Sequence, residues 1–147
     1  FNAMLAARVE QKLTGQLPAD SDESLIKAIG PAVSGEIGKI VYFLSRALPL
    51  LLLFLIPGLN ILVTVAWLLF GFWFLAVEYA DYPMGNHALS PAKQRAVLRE
   101  SRLHALAFGA GVTLMMLTPL LQLASMPAAV AGATRFWVER QASAAHP

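Results

Sequence analysis

Cysteine is absent from this chain of 147 residues, which excludes disulfides, Cys-ligated zinc and thiol catalysis. Charge is scarce too: 14% of residues are charged and 57% are hydrophobic, against about 25% and about 45–50% in soluble domains. A net charge of +2, with no basic stripe carrying interleaved aromatics, gives nucleic acid no footing as a partner. Ser45 and Ser125 lack an adjacent histidine, His104 stands alone in an apolar stretch, and no glycine-rich phosphate loop is present. A metal site built from Glu78, Asp81 and His87 has no second histidine at ligand spacing. The chain therefore reads as no enzyme, with no metal and no cofactor. The chain opens on phenylalanine, and its first residues are not expected to form a leader. The expectation is a piece of a longer protein whose missing N-terminal part is also membrane-embedded.

What is present is two uncharged stretches, residues 47–77 and 103–134, each holding an internal proline, Pro57 and Pro119. They are 31 and 32 residues long, whereas one helical crossing takes about 20 residues and two take about 40. The segregation of charge away from them marks an all-α integral membrane protein. A proline break within such a run suggests a helix that enters the membrane, turns and returns. Basic residues sharpen this, because lysine and arginine favour the cytoplasmic side. Arg8, Lys12, Lys27, Lys39 and Arg46 precede the first run, Lys93, Arg95, Arg99 and Arg102 separate the two, and Arg135 and Arg140 follow the second. All three polar segments then lie on one side, and each run becomes a re-entrant, hemi-penetrating hairpin. The alternative is one tilted, proline-kinked span per run, which would strand a four-cation connector outside. Residues 58–77 are long enough to span alone, which would make the first hairpin asymmetric.

The organisation that follows is residues 1–46 as cytoplasmic-side amphipathic helices, 47–77 as a first hairpin, and 78–102 as a cytoplasmic connector. Residues 103–134 form a second hairpin and 135–147 a cytoplasmic tail, polar and frayed after Gln141. Phe1, Met4, Leu5, Val9 and Leu13 share one face of a first helix, stopped by Gly15 and Pro18. A capped turn at residues 20–23 leads to a short helix ending at Ile29, before a break at Gly30-Pro31. Pro83, Gly85 and Asn86 signal a loop, and Ser90-Pro91 a new helix start.

Four positions, Pro57-Gly58-Leu59-Asn60, carry the sharpest local chemistry. Proline and glycine stop the incoming helix and Asn60 suits the N-cap of the outgoing one, leaving backbone N–H groups and a positive dipole end for a small anion. A bare turn whose asparagine serves only its own backbone is the competing reading. Pro119-Leu120-Leu121-Gln122 repeats the Pro-x-Leu-amide pattern, with Gln122 and Ser125 at a second tip and Pro127 opening its second arm. Ala107, Gly111, Ala128 and Gly132 have small-xxx-small spacing for close helix approach. Glu78 and Asp81 oppose the dipole at a helix C-terminus and need cations, for which His87, Arg95, Arg99 and Arg102 are the candidates. That set is either a salt-bridged helix end or a gating network. Trp67, Trp73, Tyr79, Tyr82 and Trp137 suit interfacial anchoring or packing.

Phe1-Asn2-Ala3-Met4-Leu5-Ala6, Leu13-Thr14-Gly15, Ile56-Pro57-Gly58, the run from Glu78-Tyr79-Ala80-Asp81-Tyr82-Pro83 to Met84-Gly85-Asn86-His87, and Met126-Pro127-Ala128-Ala129 with its continuation to Thr134 resemble one family. It is the CysZ sulfate permease family of bacterial inner membranes, related more distantly to the etoposide-induced membrane proteins. The resemblance covers nearly the whole chain, with Asp81-Tyr82-Pro83 its most specific part. It implies sulfate uptake for cysteine synthesis, proton-dependent or channel-like, by a homo-oligomer in the bilayer that combines full spans with hemi-penetrating hairpins. It also implies that about a third of the protein precedes this chain, including an arginine-bearing Pro-Gly-Leu-Arg-like anion motif. Gly58, Leu59 and Asn60 are the matching element and so the candidate sulfate contact. The other class of function is a membrane scaffold of the same fold without transport.

Overall fold

Small residues decide where the helices of this chain meet. The computed structural model describes residues 2–16 and 25–145. These form α1 Asn2–Thr14, α2 Leu25–Leu53, α3 Asn60–Gly85, α4 Pro91–Glu100, α5 Arg102–Leu117 and α6 Pro119–Ala145, with no strand among the described residues. α3 is the hub and touches every other helix.

The ends follow local chemistry in most places. Gly15, at φ +76°, closes α1 in the left-handed region that glycine enters freely. Ser90 is extended and Pro91 opens α4 at a position where its missing N–H costs nothing. Thr118, extended at φ −99° and ψ 112°, separates α5 from α6, and Pro119 is again the first helical residue.

Elsewhere the structure corrects the expectations. α2 runs through Gly30 and Pro31 without a break, and past Ile29. Pro83 lies buried inside α3, so the loop begins only after Gly85. Pro127 lies inside α6 instead of opening an arm, and the tail stays helical to Ala145. A helix-interior proline costs about 3 kcal/mol; packing along a long helix exceeds that cost here. Phe1, Pro18 and the turn at residues 20–23 lie outside the described residues.

α3, α5 and α6 run antiparallel in sequence. Ala105 packs in one core cluster with Ala76 and Ala80, the backbone of Phe72 crosses Gly109, and Thr113 shares a groove with Leu68. Each step of four along α5 matches a step of four back along α3. Gly132 of α6 faces Phe108 of α5, while Ala129, Val130 and Ala133 join Val112 and Tyr79. The two turns, at residues 54–59 and at Thr118, therefore lie at the same end of the bundle.

The small residues that matter are not all those the spacing suggested. Gly109 and Gly132 make the close approaches, whereas Gly111 faces open space and Ala107 and Ala128 are exposed. The dry core is concentrated at the end opposite the turns, where Ala76, Ala80, Met84, Leu98 and Ala105 are buried. At the turn end Leu55 is 76% exposed, Ile61 80%, Leu120 83% and Leu123 86%. A contiguous apolar surface of this kind does not belong in water.

α2 leans on α3 through aromatics. The Phe43 ring lies 5.4 Å from Phe70 and 4.8 Å from Phe74, the latter edge-on, and Trp73 Nε1 donates to Tyr42 Oη at 2.8 Å. Tyr79 and Trp137 are buried as well, so packing is what these aromatics do. α1 docks on α6 and α3 with Ala6 and Glu10 inward, leaving Met4 and Leu13 exposed. The inward face of α1 is thus one turned away from the apolar face read from sequence.

Candidate functional site

The first turn is built as a tightened helix end. Phe54, Leu55 and Ile56 N–H groups donate to carbonyls three residues back, Leu51, Leu52 and Leu53, at 3.1, 3.1 and 3.2 Å. Pro57 then prevents continuation, and Gly58 at φ +89° reverses the chain with nothing within 4 Å of where a Cβ would stand. Leu59, not Asn60, occupies the N-cap position of α3, and no side chain caps it. Asn60 is the first helical residue, and its carbonyl accepts from Thr64 Oγ1 at 2.8 Å. The opening N–H groups of α3 have no side-chain cap, as an anion site at a helix start needs. Yet no charged side chain bonds to residues 58–60 among the described residues.

The second turn differs. Pro119 is itself the first residue of α6, so Gln122 sits three positions into the helix, with its N–H bonded to the Thr118 carbonyl at 2.9 Å. Ser125 Oγ donates to the Gln122 carbonyl at 2.7 Å. Asn60 and Gln122 therefore hold unlike positions, and the two Pro-x-Leu-amide segments are not structural equivalents.

Glu78 and Asp81 do find a cation, but it is Lys39 of α2. Its ammonium, on a residue only 6% exposed, lies 2.8 Å from Asp81 Oδ2, 2.7 Å from Glu36 Oε1 and 3.9 Å from Glu78 Oε2. Asp81 Oδ1 accepts from Gln94 Nε2 at 2.8 Å, and the same amide nitrogen donates to the Leu89 carbonyl at 3.0 Å. One aspartate thus ties α2, α3 and α4 beside a cavity of about 700 Å³. Burial, the largest influence on Lys39, opposes its charge. The hydrogen bonds to Asp81 and Glu36, with the fields of Asp81 and Glu78, outweigh it and raise its pKa above the ordinary 10.5.

His87 joins a different partner again. Its Nε2 lies 2.6 Å from Oε1 of Glu10, a carboxylate 4% exposed, and its ring centroid is 5.6 Å from that of Trp137. Asn86 Nδ2 donates to the Ala3 carbonyl at 2.9 Å, so residues 86 and 87 clamp α1 to the end of α3.

The arginines gather elsewhere. Arg99 and Arg102 line a cavity of about 620 Å³ with Arg46, Tyr42 and Trp73, and Arg95 stacks on the Tyr42 ring at 4.6 Å. Arg102 opens α5 and does not lie on the connector helix. Lys39, Glu36, Gln94, Glu10, Tyr42 and Arg46 are site residues that sequence reading did not assign to a site. A lone lysine between Ile37, Ile40 and Val41 was the available signal for the first.

Comparison with known proteins fits this frame. Residues 1–127 match the family described as "Sulfate transporter CysZ/Etoposide-induced protein 2.4". A protein named sulfate transporter CysZ from Pectobacterium atrosepticum is 44% identical over 142 residues, covering 95% of this chain and 52% of that protein. The protein of that name from Pseudomonas aeruginosa strain LESB58 is 43% identical, covering 96% and 58%, and that from Pseudomonas fluorescens strain SBW25 is 42% identical, covering 99% and 58%. The chain thus spans between 52% and 58% of the length of these relatives. On a family match over residues 1–127 and this level of identity, the chain belongs to the sulfate transporter CysZ/etoposide-induced protein family.

Proposed function

We propose that the chain is a membrane-embedded part of a sulfate transporter of the bacterial inner membrane, supplying sulfate for cysteine synthesis. The observation that carries this reading is the alignment of 95–99% of the chain with proteins named sulfate transporters. The exposed apolar surface at the turn end supports a bilayer setting, since leucines exposed in water would be costly. Among the described residues, α3 alone is long and apolar enough to cross a membrane. α5, at 16 residues, reaches only about 24 Å against a hydrocarbon core of about 30 Å. In this reading both turns enter from the cytoplasmic face, the second ends within the membrane, and further copies of the protein cover part of the apolar surface.

The uncapped start of α3 at Gly58, Leu59 and Asn60 is the proposed contact for sulfate at depth. Its support is the left-handed Gly58 and the absence of a side-chain cap. The proposed gate is the tie at the other end of α3, Lys39 with Asp81 and Gln94, flanked by Glu78.

Uptake of radiolabelled sulfate into proteoliposomes tests the proposal. Uptake above protein-free vesicles is expected, reduced on the order of tenfold by Asp81→Asn, the scale of one charged hydrogen bond. No uptake by the wild-type protein would favour the scaffold reading. Unaltered uptake in both Asp81→Asn and Asn60→Ala would remove these residues from the mechanism.

A further inference from the structure

Every acidic side chain among the described residues has a partner, and no partner is one of four arginines. Glu10 takes His87, and Glu36, Glu78 and Asp81 share Lys39. Glu100 takes Arg140, and Glu139 takes Arg135. Arg46, Arg95, Arg99 and Arg102 are left without a carboxylate among the described residues. Three of the four, Arg46, Arg99 and Arg102, line one cavity of about 620 Å³ between α2, α3 and the α4–α5 corner.

The remaining polar groups of that cavity point to the same ligand. Tyr42 Oη already accepts the Trp73 N–H at 2.8 Å, which leaves its own hydroxyl proton to donate. Ser45 Oγ spends its proton on the Tyr42 carbonyl at 2.8 Å. Among the described residues, no carboxylate lines the space. Its other wall is apolar, with Pro49, Leu50, Leu69, Phe70 and Leu106. Guanidinium groups beside such a wall repel one another more strongly than in open water. Arg95 adds a fourth charge behind the Tyr42 ring, with Nη1 buried and unpartnered.

We propose that this cavity binds a tetrahedral oxyanion, held by Arg46, Arg99 and Arg102 and by the Tyr42 hydroxyl. Arginine forks match the oxygens of sulfate and of a phosphate ester alike. The cavity's size and half-apolar lining admit either free sulfate or the headgroup of an anionic phospholipid, and both present this chemistry. The site is distinct from residues 58–60, since its α3 residues lie from Leu69 to Trp73. The inference does not depend on transport. Equilibrium binding is read without flux, so a protein that binds but does not move sulfate would keep this site and lose the transport reading.

Radiolabelled sulfate is titrated against the purified protein in lipid-free nonionic detergent. In parallel, native mass spectrometry counts phosphatidylglycerol retained against phosphatidylcholine. Sulfate bound by the wild type and weakened about tenfold in Arg99→Gln/Arg102→Gln, but not in Lys93→Gln, establishes a free-anion site. No sulfate bound, but phosphatidylglycerol retained and lost in the same double variant, establishes a headgroup site. Neither ligand retained by the wild type, or equal retention by the double variant, overturns the proposal. Phenylglyoxal labelling of the wild type answers the question without any variant. The bound ligand should protect Arg46, Arg99 and Arg102 but not Arg8, and equal labelling with and without ligand overturns the proposal.

Discussion

Leucine in place of Gly109 abolishes the packed bundle, and alanine there lowers stability by about 3 kcal/mol, the upper part of the usual overpacking range. A Cβ on Gly109 would collide with the Phe72 carbonyl oxygen and stand 2.6 Å from its carbon and 2.8 Å from Cα. All three are backbone atoms of α3, so no side-chain rotation relieves the clash and α5 must move outward as a body. Ala105, Val112 and the α6 residues packed with them lose contact in the same motion. Two neighbours provide the contrast. A Cβ on Gly132 meets only the edge of the Phe108 ring, at 3.1 Å, which can turn away. Gly111 has nothing within 4 Å, so Gly111→Ala should be neutral or stabilising by up to about 1 kcal/mol from helix propensity alone. Thermal unfolding in detergent, followed by circular dichroism, ranks the three alanine variants. Equal midpoints for Gly109→Ala and Gly111→Ala would contradict the close crossing of α3 and α5.

Lys39→Met carries the second large effect, about 2–3 kcal/mol, somewhat below the cost of breaking a fully buried pair because Asp81 keeps some solvent. The substitution removes the only cation bonded to Glu36, Glu78 and Asp81 among the described residues. Three carboxylates are then left to repel one another at the junction of α2, α3 and α4. The pH dependence has a defined sign. Since the folded pKa of Lys39 is raised above 10.5, its stabilising contribution is full below that value and fades only as pH rises through the higher folded value. The difference in unfolding midpoint between wild type and Lys39→Met should therefore stay constant from neutral pH to 10.5. A difference that shrinks within that window would place the ammonium outside this network.

Local signals carried the parts of the fold that local chemistry controls. Gly15, Pro57-Gly58 and Ser90-Pro91 mark ends or starts because each fixes or frees a dihedral where a helix must stop or begin. Pro31, Pro83 and Pro127 misled for the opposite reason. Each removes one hydrogen bond from a helix of 26 to 29 residues, whose remaining bonds and contacts hold it together. Partners distant in sequence were out of reach. Lys39 and Asp81 are 42 positions apart and Glu10 and His87 are 77 apart, and only the tertiary fold brings them together. Sequence proximity favoured arginines for Asp81, whereas the structure places those arginines around Tyr42, further along α2 from Lys39. The candidate contact at residues 58–60 was legible as a turn, but its expected cap was one residue off, with Leu59 at the position assigned to Asn60.

The proposed placement in the membrane has one direct test. The chain contains no cysteine, so single cysteines at Ser90 and Ser143, both exposed, report their side through a membrane-impermeant maleimide. In spheroplasts, where only the periplasmic face is open, neither position should react, and in inverted vesicles both should. Labelling of Ser90 in spheroplasts would contradict two hairpins entering from one face.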